Sequence, residues 1–174
     1  MNPTITHITL DEVRNGFQKG FYCCMSGVCK RQFQSDMWIK IHEEVGSIGL
    51  LARGDKGIVA QTIFLPKKYA RWIGLPTGLG RPEEFSSTMS ISCLLVQGWC
   101  RNEGIASKMI EATIDFSRKH GFRRIEACVD SRPPSDAFQW LPSFSPFRKF
   151  GFVVDDSRVA WEFWSESRMC HLDL

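Results

Sequence analysis

The chain has 174 residues, is 43% hydrophobic and 24% charged, and carries a formal net charge of +3. Those values fit one ordinary globular domain with a sizeable core. The charge suits a polyanionic small molecule and excludes the basic stripe of a nucleic-acid binder, and no run approaches the ~18 apolar residues of a membrane-spanning helix.

Met1 to Val13 has neither the charged start nor the apolar centre of a signal peptide, so a cytoplasmic location is the expectation. Thr4 to Leu10 alternates β-branched residues and predicts a first strand. Asp11 is placed to cap a helix reaching about Phe21 or Cys24, and Ser26-Gly27 breaks it. Cys23, Cys24 and Cys29 form the one cluster among seven cysteines. The odd count argues for thiols over a disulfide framework. A zinc site would need a fourth ligand and usually a Cys-x-x-Cys spacing. Burial as small apolar side chains is the default reading. Lys30 to Val45 predicts a second helix, because Phe33, Met37, Ile41 and Val45 step by four with Trp38 beside them.

Gly46 ends that helix. Ser47 to Ala52 and Gly57 to Leu65 read as a hairpin around Arg53-Gly54-Asp55-Lys56-Gly57. Pro66 ends its second strand. Lys67 to Phe85 has no clear period and carries Tyr69 and Trp72; it is either a functional loop or an ordered surface loop.

Met89 to Val96 is short, apolar and flanked by Ser and Gly, as a buried strand is. Gln97 to Cys100 breaks the run. A strong helical period follows the loop, with Ile105, Met109, Ala112 and Phe116 on one stripe and Ile110 and Ile114 widening it. Arg118, Lys119 and His120 fill the last turn, and Gly121 is placed as the residue after the cap. Strand, tight loop and helix make an anion-binding unit, since the first helical N–H groups have no intrahelical partner and the dipole is positive there. Gly104 and Ala106 allow close approach to the backbone, and Arg101 adds a two-pronged cation. By itself Arg-x-x-Gly-x-Ala is equally an ordinary turn.

Arg123 to Val129 is the next strand. Asp130 to Ser145 is irregular, with three prolines and the aromatics Phe138, Trp140 and Phe144. Ser145 and Pro146 look like a cap and first helical residue, and Gly151 like the terminating glycine, which leaves a short helix Pro146 to Phe150. Phe152 to Val154 and Arg158 to Trp164 predict a terminal hairpin. With no repeat or linker, residues 1–174 read as a single domain built on a mixed α/β sheet.

Two blocks carry a resemblance. Val96 to Ala106, through Arg101, Gly104 and Ala106, is similar to the coenzyme A loop of the GNAT family of N-acetyltransferases, and Phe147-Arg148-Lys149-Phe150-Gly151-Phe152 resembles that family's second block, in the right order. The cysteine cluster followed by a helix with Trp38 resembles a bacterial subgroup. The resemblance implies a central, splayed, mostly antiparallel sheet flanked by helices. It implies transfer of an acetyl group from acetyl-CoA to a primary amine of a small molecule or peptide, by direct attack in a ternary complex. No metal, nucleic acid or membrane is expected, and a homodimer is left open. The coenzyme would be held by Leu94, Leu95, Val96, Arg101, Asn102, Glu103, Gly104, Ile105, Ala106, Ser107 and Phe147, with Leu94 to Val96 pairing the pantetheine arm and the Leu94 N–H as oxyanion donor.

The sequence also departs from the family. Phe147 stands where many members have Tyr, so it would pack on the pantetheine arm without donating a proton. Ser90 stands where some have a Glu base. Glu126 is either a base working through water or an exposed strand residue. His120 reads as a capping cation, and Cys93 and Cys128 as core. Tyr69, Trp72 and Trp140 are candidate walls of an acceptor cleft between the second helix and the segment Lys67 to Phe85, or they fill a satellite core. The missing Tyr and Glu also leave open a catalytically silent coenzyme A-binding protein.

Overall fold

The sheet grows outward from one tight turn. Gly54 and Gly57 pair across Asp55-Lys56, so β2 (Gly49–Gly54) and β3 (Gly57–Pro66) form the expected hairpin. The computed structural model describes residues 2–14, 32–70, 82–132, 141–161 and 164–174. In chain order the further elements are β1 (Thr4–His7), α1 (Leu10–Arg14), α2 (Gln32–Val45), α3 (Lys67–Ala70), β4 (Thr88–Val96), α4 (Ile105–Lys119), β5 (Arg124–Asp130), α5 (Ser145–Arg148), β6 (Val153–Trp161) and β7 (Trp164–Asp173). Short 3-10 turns occupy Pro82–Ser87 and Gly98–Cys100.

The seven strands lie in the order β1-β2-β3-β4-β5-β7-β6. The β4–β5 pair is parallel and every other pair is antiparallel, which gives the mixed, mostly antiparallel sheet that was expected. The long helix α4 is the crossover that a parallel pair requires. Ile105, Met109, Ile110, Ile114 and Phe116 of α4 are buried, and Phe116 packs on Phe64 of β3 at 4.9 Å between ring centroids. Ala112 is only partly buried, while Thr113 and Ser117 are buried on the same side. Their hydroxyls donate to the carbonyls of Met109 and Thr113, both at 2.8 Å, which makes burying them tolerable. The helix ends as its sequence dictates, with Gly121 at φ 76° and His120 Nδ1 2.8 Å from the Phe116 carbonyl.

Three expectations change. The cap of α1 is Thr9, not Asp11: Glu12 N–H donates to Thr9 Oγ1 while the Glu12 carboxylate accepts from Thr9 N–H at 2.8 Å. The residue before α5 is Phe144, so Ser145 lies inside the first turn beside Pro146. The terminal strands extend well past Trp164, because Trp164–Asp173 is a full strand, β7, inserted between β5 and β6.

Candidate active site

Strand β4 is where the sheet opens. It pairs with β5 only from Thr88 to Ile91, opposite Arg124 to Ala127. On its other edge it stays paired to β3 up to Val96. Between Phe64↔Ile91 and Ile63↔Cys93 the register slips, which makes Ser92 the extra residue of a bulge. Its hydroxyl donates to the Ile63 carbonyl at 3.2 Å. Beyond the bulge, Gln97 N–H donates to Val59 O of β3 at 2.9 Å. Counting back by twos, the Leu95 and Cys93 N–H groups also face β3. The N–H groups of Leu94 and Val96 therefore face the other way, into the gap where β5 no longer pairs.

The chain then turns into α4. Cys100 N–H bonds to Gln97 O at 2.9 Å and Arg101 N–H to Gly98 O at 3.3 Å. Cys100 and Ile105 are each 1% exposed and anchor the two ends of the loop, while Arg101 to Gly104 stand in solvent. Asn102 and Gly104 take left-handed conformations, φ 66° and 75°. Gly104 is the cap of α4 and offers no side-chain cap. The first helical bond runs from Lys108 N–H to Gly104 O at 3.1 Å. The N–H groups of Ile105, Ala106 and Ser107 have no carbonyl of their own helix within reach.

The segment 141–149 faces this loop. Asp130 N–H donates to Pro142 O at 2.9 Å and Asp130 bridges Ser143, so the segment is tied to the end of β5. A cleft of about 510 Å³ lies between, within the range of small-molecule sites. One wall is Leu94, Leu95, Val96, Cys100, Arg101, Asn102, Gly104, Ile105, Ala106 and Ser107; the other is Leu141, Pro142, Ser143, Ser145, Pro146 and Lys149. Its charged lining side chains are Arg101 and Lys149, with no carboxylate among the described lining residues. Cations, a helix start, open strand N–H groups and apolar side chains suit a ligand that is anionic at one end and extended and amide-bearing at the other.

The family model described as Acetyltransferase (GNAT) family matches residues 23–138. The chain belongs to the GNAT family. Solved structures of similar fold include Ard1 from Thermoplasma volcanium, with 12% identity, TM-score 0.60, and coverage of 100% of this chain and 99% of that one. The ribosomal-protein-alanine N-acetyltransferase from Brucella melitensis has 14% identity, TM-score 0.61, and coverage of 98% and 99%. The paia N-acetyltransferase from Thermoplasma acidophilum, in complex with coenzyme A, has 11% identity, TM-score 0.59, and coverage of 100% of both chains. At these identities the likeness carries the fold alone. No curated protein sequence matches the chain. As a GNAT member the chain is an acetyl-CoA-dependent acyltransferase.

Of the residues expected to hold the GNAT coenzyme, nine come together in the cleft. Glu103 and Phe147 are not among its lining residues. Glu103 is exposed on the loop. Phe147 is 0% exposed and packs edge-on against Phe152 at 5.2 Å, which corrects its reading as a pantetheine contact: the ring is a core residue that fixes α5. Sequence reading missed the opposite wall, because only the bridge to β5 brings Ser143, Ser145 and Lys149 to the loop.

Glu126 is corrected as well. It is neither solvent-facing nor part of the cleft lining. It is 7% exposed and ion-paired through Oε2 to Lys67 Nζ at 2.5 Å, with Lys67 itself 1% exposed and 5.0 Å from the Phe85 ring centroid. The Glu126 carboxylate is committed to a buried structural pair outside the cleft lining, which leaves it away from the reacting groups. Tyr69 is half-buried and donates its hydroxyl to Glu44 of α2, which also pairs with Lys68 at 2.6 Å. The bond to Glu44 holds the Tyr69 phenol above its ordinary pKa, so the group stays protonated. Trp72, Trp140 and the Cys23, Cys24, Cys29 cluster lie outside the described residues. Burial pushes the Cys128 thiol up to about 12, so it supplies no thiolate.

Proposed function

We propose that the protein transfers the acetyl group of acetyl-CoA to a primary amine of a small molecule or peptide by direct attack in a ternary complex, as a single domain over residues 1–174. The observation that carries this reading is the cleft itself. The place where β4 leaves β5 after Ile91 opens onto the loop and helix start at Arg101 to Ser107. The residues fit the co-substrate: helix N–H groups and Arg101 for the pyrophosphate, and the outward N–H groups of Leu94 and Val96 for the pantetheine amides. Leu94 N–H is the proposed donor to the oxyanion that forms when the amine adds to the thioester carbonyl. Holding amine and thioester side by side supplies the largest share of the rate.

The acceptor enters between α2 and the segment Lys67 to Phe85, with Tyr69, Trp72 and Trp140 as walls. The network of Tyr69, Lys68 and Glu44 supports this, since it joins α2 to the start of that segment. A wall of rings would desolvate the ammonium and lower its pKa, favouring the neutral nucleophile. Cys128 and Cys170 are free thiols, which suits a reducing cytoplasm. Membership of an enzyme family disfavours the silent coenzyme-binding alternative.

The test is thiol release from acetyl-CoA against a panel of primary amines, run beside calorimetry with coenzyme A. Binding, together with release above the amine-free blank for at least one amine class, is expected. Folded protein that binds no coenzyme A would overturn the reading.

A further inference from the structure

Coenzyme A carries two anionic groups, the pyrophosphate and a 3′-phosphate on the ribose, and the proposed function accounts for only the first. We propose that Lys149 is the receptor for the 3′-phosphate and gives the cleft its preference for a 3′-phosphorylated nucleotide. The inference rests on the coenzyme reading above.

The sequence Phe147-Arg148-Lys149-Phe150 fixes the geometry. Phe147 is fully buried and Phe150 packs partly buried against the core, one turn apart. The chain between them is held by bonds from Phe150 N–H to Phe147 O at 3.0 Å and from Gly151 N–H to Arg148 O at 3.1 Å. Lys149 is therefore placed on the outer side of an anchored turn, and its side chain lines the cleft. Arg101 is on the other wall, beside the free N–H groups of Ile105 to Ser107, which together meet the pyrophosphate. A second phosphate in the same cleft has Lys149 as its cation, with the Ser145 hydroxyl on the same wall.

Among the described residues, other cations are placed elsewhere or paired, with Arg132 bound to Asp130 at 2.6 Å. Lys108 Nζ donates to Asn2 Oδ1 at 2.9 Å, and Arg148 is not among the lining residues. Arg118 and Lys119 sit at the far end of the 15-residue helix α4, roughly 20 Å away at 1.5 Å per residue. An ammonium binds a phosphate as a compact point charge, so its removal weakens the charged ligand selectively.

The experiment is calorimetry with coenzyme A and 3′-dephospho-coenzyme A on wild-type protein and on Lys149→Met, Lys149→Arg and Lys119→Met. The wild type should prefer coenzyme A by about tenfold, a difference of one charge-assisted contact. Lys149→Met should bring the two ligands to within twofold by weakening coenzyme A alone; Lys149→Arg should keep most of the preference, and Lys119→Met all of it. Lys149→Met that weakens both ligands equally, or neither, overturns the assignment while leaving the coenzyme reading in place. Wild-type protein that binds neither ligand overturns the coenzyme reading and this inference with it.

Discussion

Gly104 and Gly121 are a matched pair at the two ends of α4, and they separate backbone strain from ligand blocking. Both are left-handed, at φ 75° and 76°, and a Cβ added to either meets nothing within 4 Å. An alanine at either position therefore carries only the left-handed penalty, roughly 1–2 kcal/mol. For a chain of this size that lowers Tm by about 2–8 °C. Their surroundings differ, since Gly104 lines the cleft and Gly121 does not. A Cβ at Gly104 occupies space at the helix start, where the pyrophosphate oxygens must come within hydrogen-bond distance of Ile105 to Ser107. Losing one such charge-assisted contact is about 1.5 kcal/mol or more, at least tenfold in Kd. Gly104→Ala and Gly121→Ala should show similar melting shifts, but only Gly104→Ala should weaken coenzyme A in calorimetry well below both Tm values. Gly104→Val, bulkier and β-branched, should weaken it further. Unchanged affinity in folded Gly104→Ala and Gly104→Val would refute the placement of the pyrophosphate, and equal losses at Gly104 and Gly121 would show that helix strain alone was being read.

Lys67→Met leaves the Glu126 carboxylate buried without its partner and should destabilise by about 3–5 kcal/mol, whereas Lys67→Met with Glu126→Leu should recover most of it; a single-variant loss under about 1 kcal/mol in urea unfolding would contradict the buried pair. Stability should also fall in two stages with acid. Packing against Phe116 at 5.1 Å, with His120, Lys119 and His42 nearby, holds the His7 pKa below its ordinary value, so the unfolded chain takes up that proton first and stability declines as pH drops through about 6.5. The Arg132 guanidinium holds Asp130 below the usual carboxylate range, a contribution present above about pH 4 and lost below it as the carboxylate protonates. Tm measured against pH should lose its upper stage in His7→Gln; an unaltered profile would remove His7 from the account.

Features written in local sequence were legible, and those made by long-range pairing were not. The Arg53 to Gly57 turn, the α4 stripe with its terminating Gly121 and the Arg101 to Ala106 loop each depend on residues a few positions apart, and each lies where expected. Thr9-x-x-Glu12 carried its own signature, but Asp11 offered a competing cap two residues on. Strand β7 was hidden because Ser165, Glu166, Arg168, His171 and Asp173 make it polar for a strand with a neighbour on each side. The Ser92 bulge exists only in the register between β3 and β4, and no local residue pattern announces it. Lys67 and Glu126 are 59 residues apart, so their pairing rests on the sheet order. The second wall of the cleft is likewise a product of the Asp130–Ser143 bridge.

Phe147 bears on how the leaving thiolate is protonated. A positioned general acid is worth about 10²–10⁴-fold, against roughly 7–11 kcal/mol for holding the reactants together and about 2.7–4 kcal/mol for one oxyanion donor. At about 1.4 kcal/mol per decade that acid is worth as much as one oxyanion donor, so a GNAT enzyme without it loses a comparable contribution and keeps the larger one from positioning. Restoring a hydroxyl at this position tests whether the site could use it. The Phe147 ring is fully buried against Phe152 and absent from the cleft lining. Phe147→Tyr should therefore bury a phenol with no prepared partner, which costs about 1–3 kcal/mol. The expected result is a Tm lower by several degrees, coenzyme affinity within twofold and kcat within a few-fold of wild type. A tenfold or greater rise in kcat, with its pH profile gaining a new limb at high pH, would mean that the hydroxyl reaches the thiolate and that the ring borders the cleft after all.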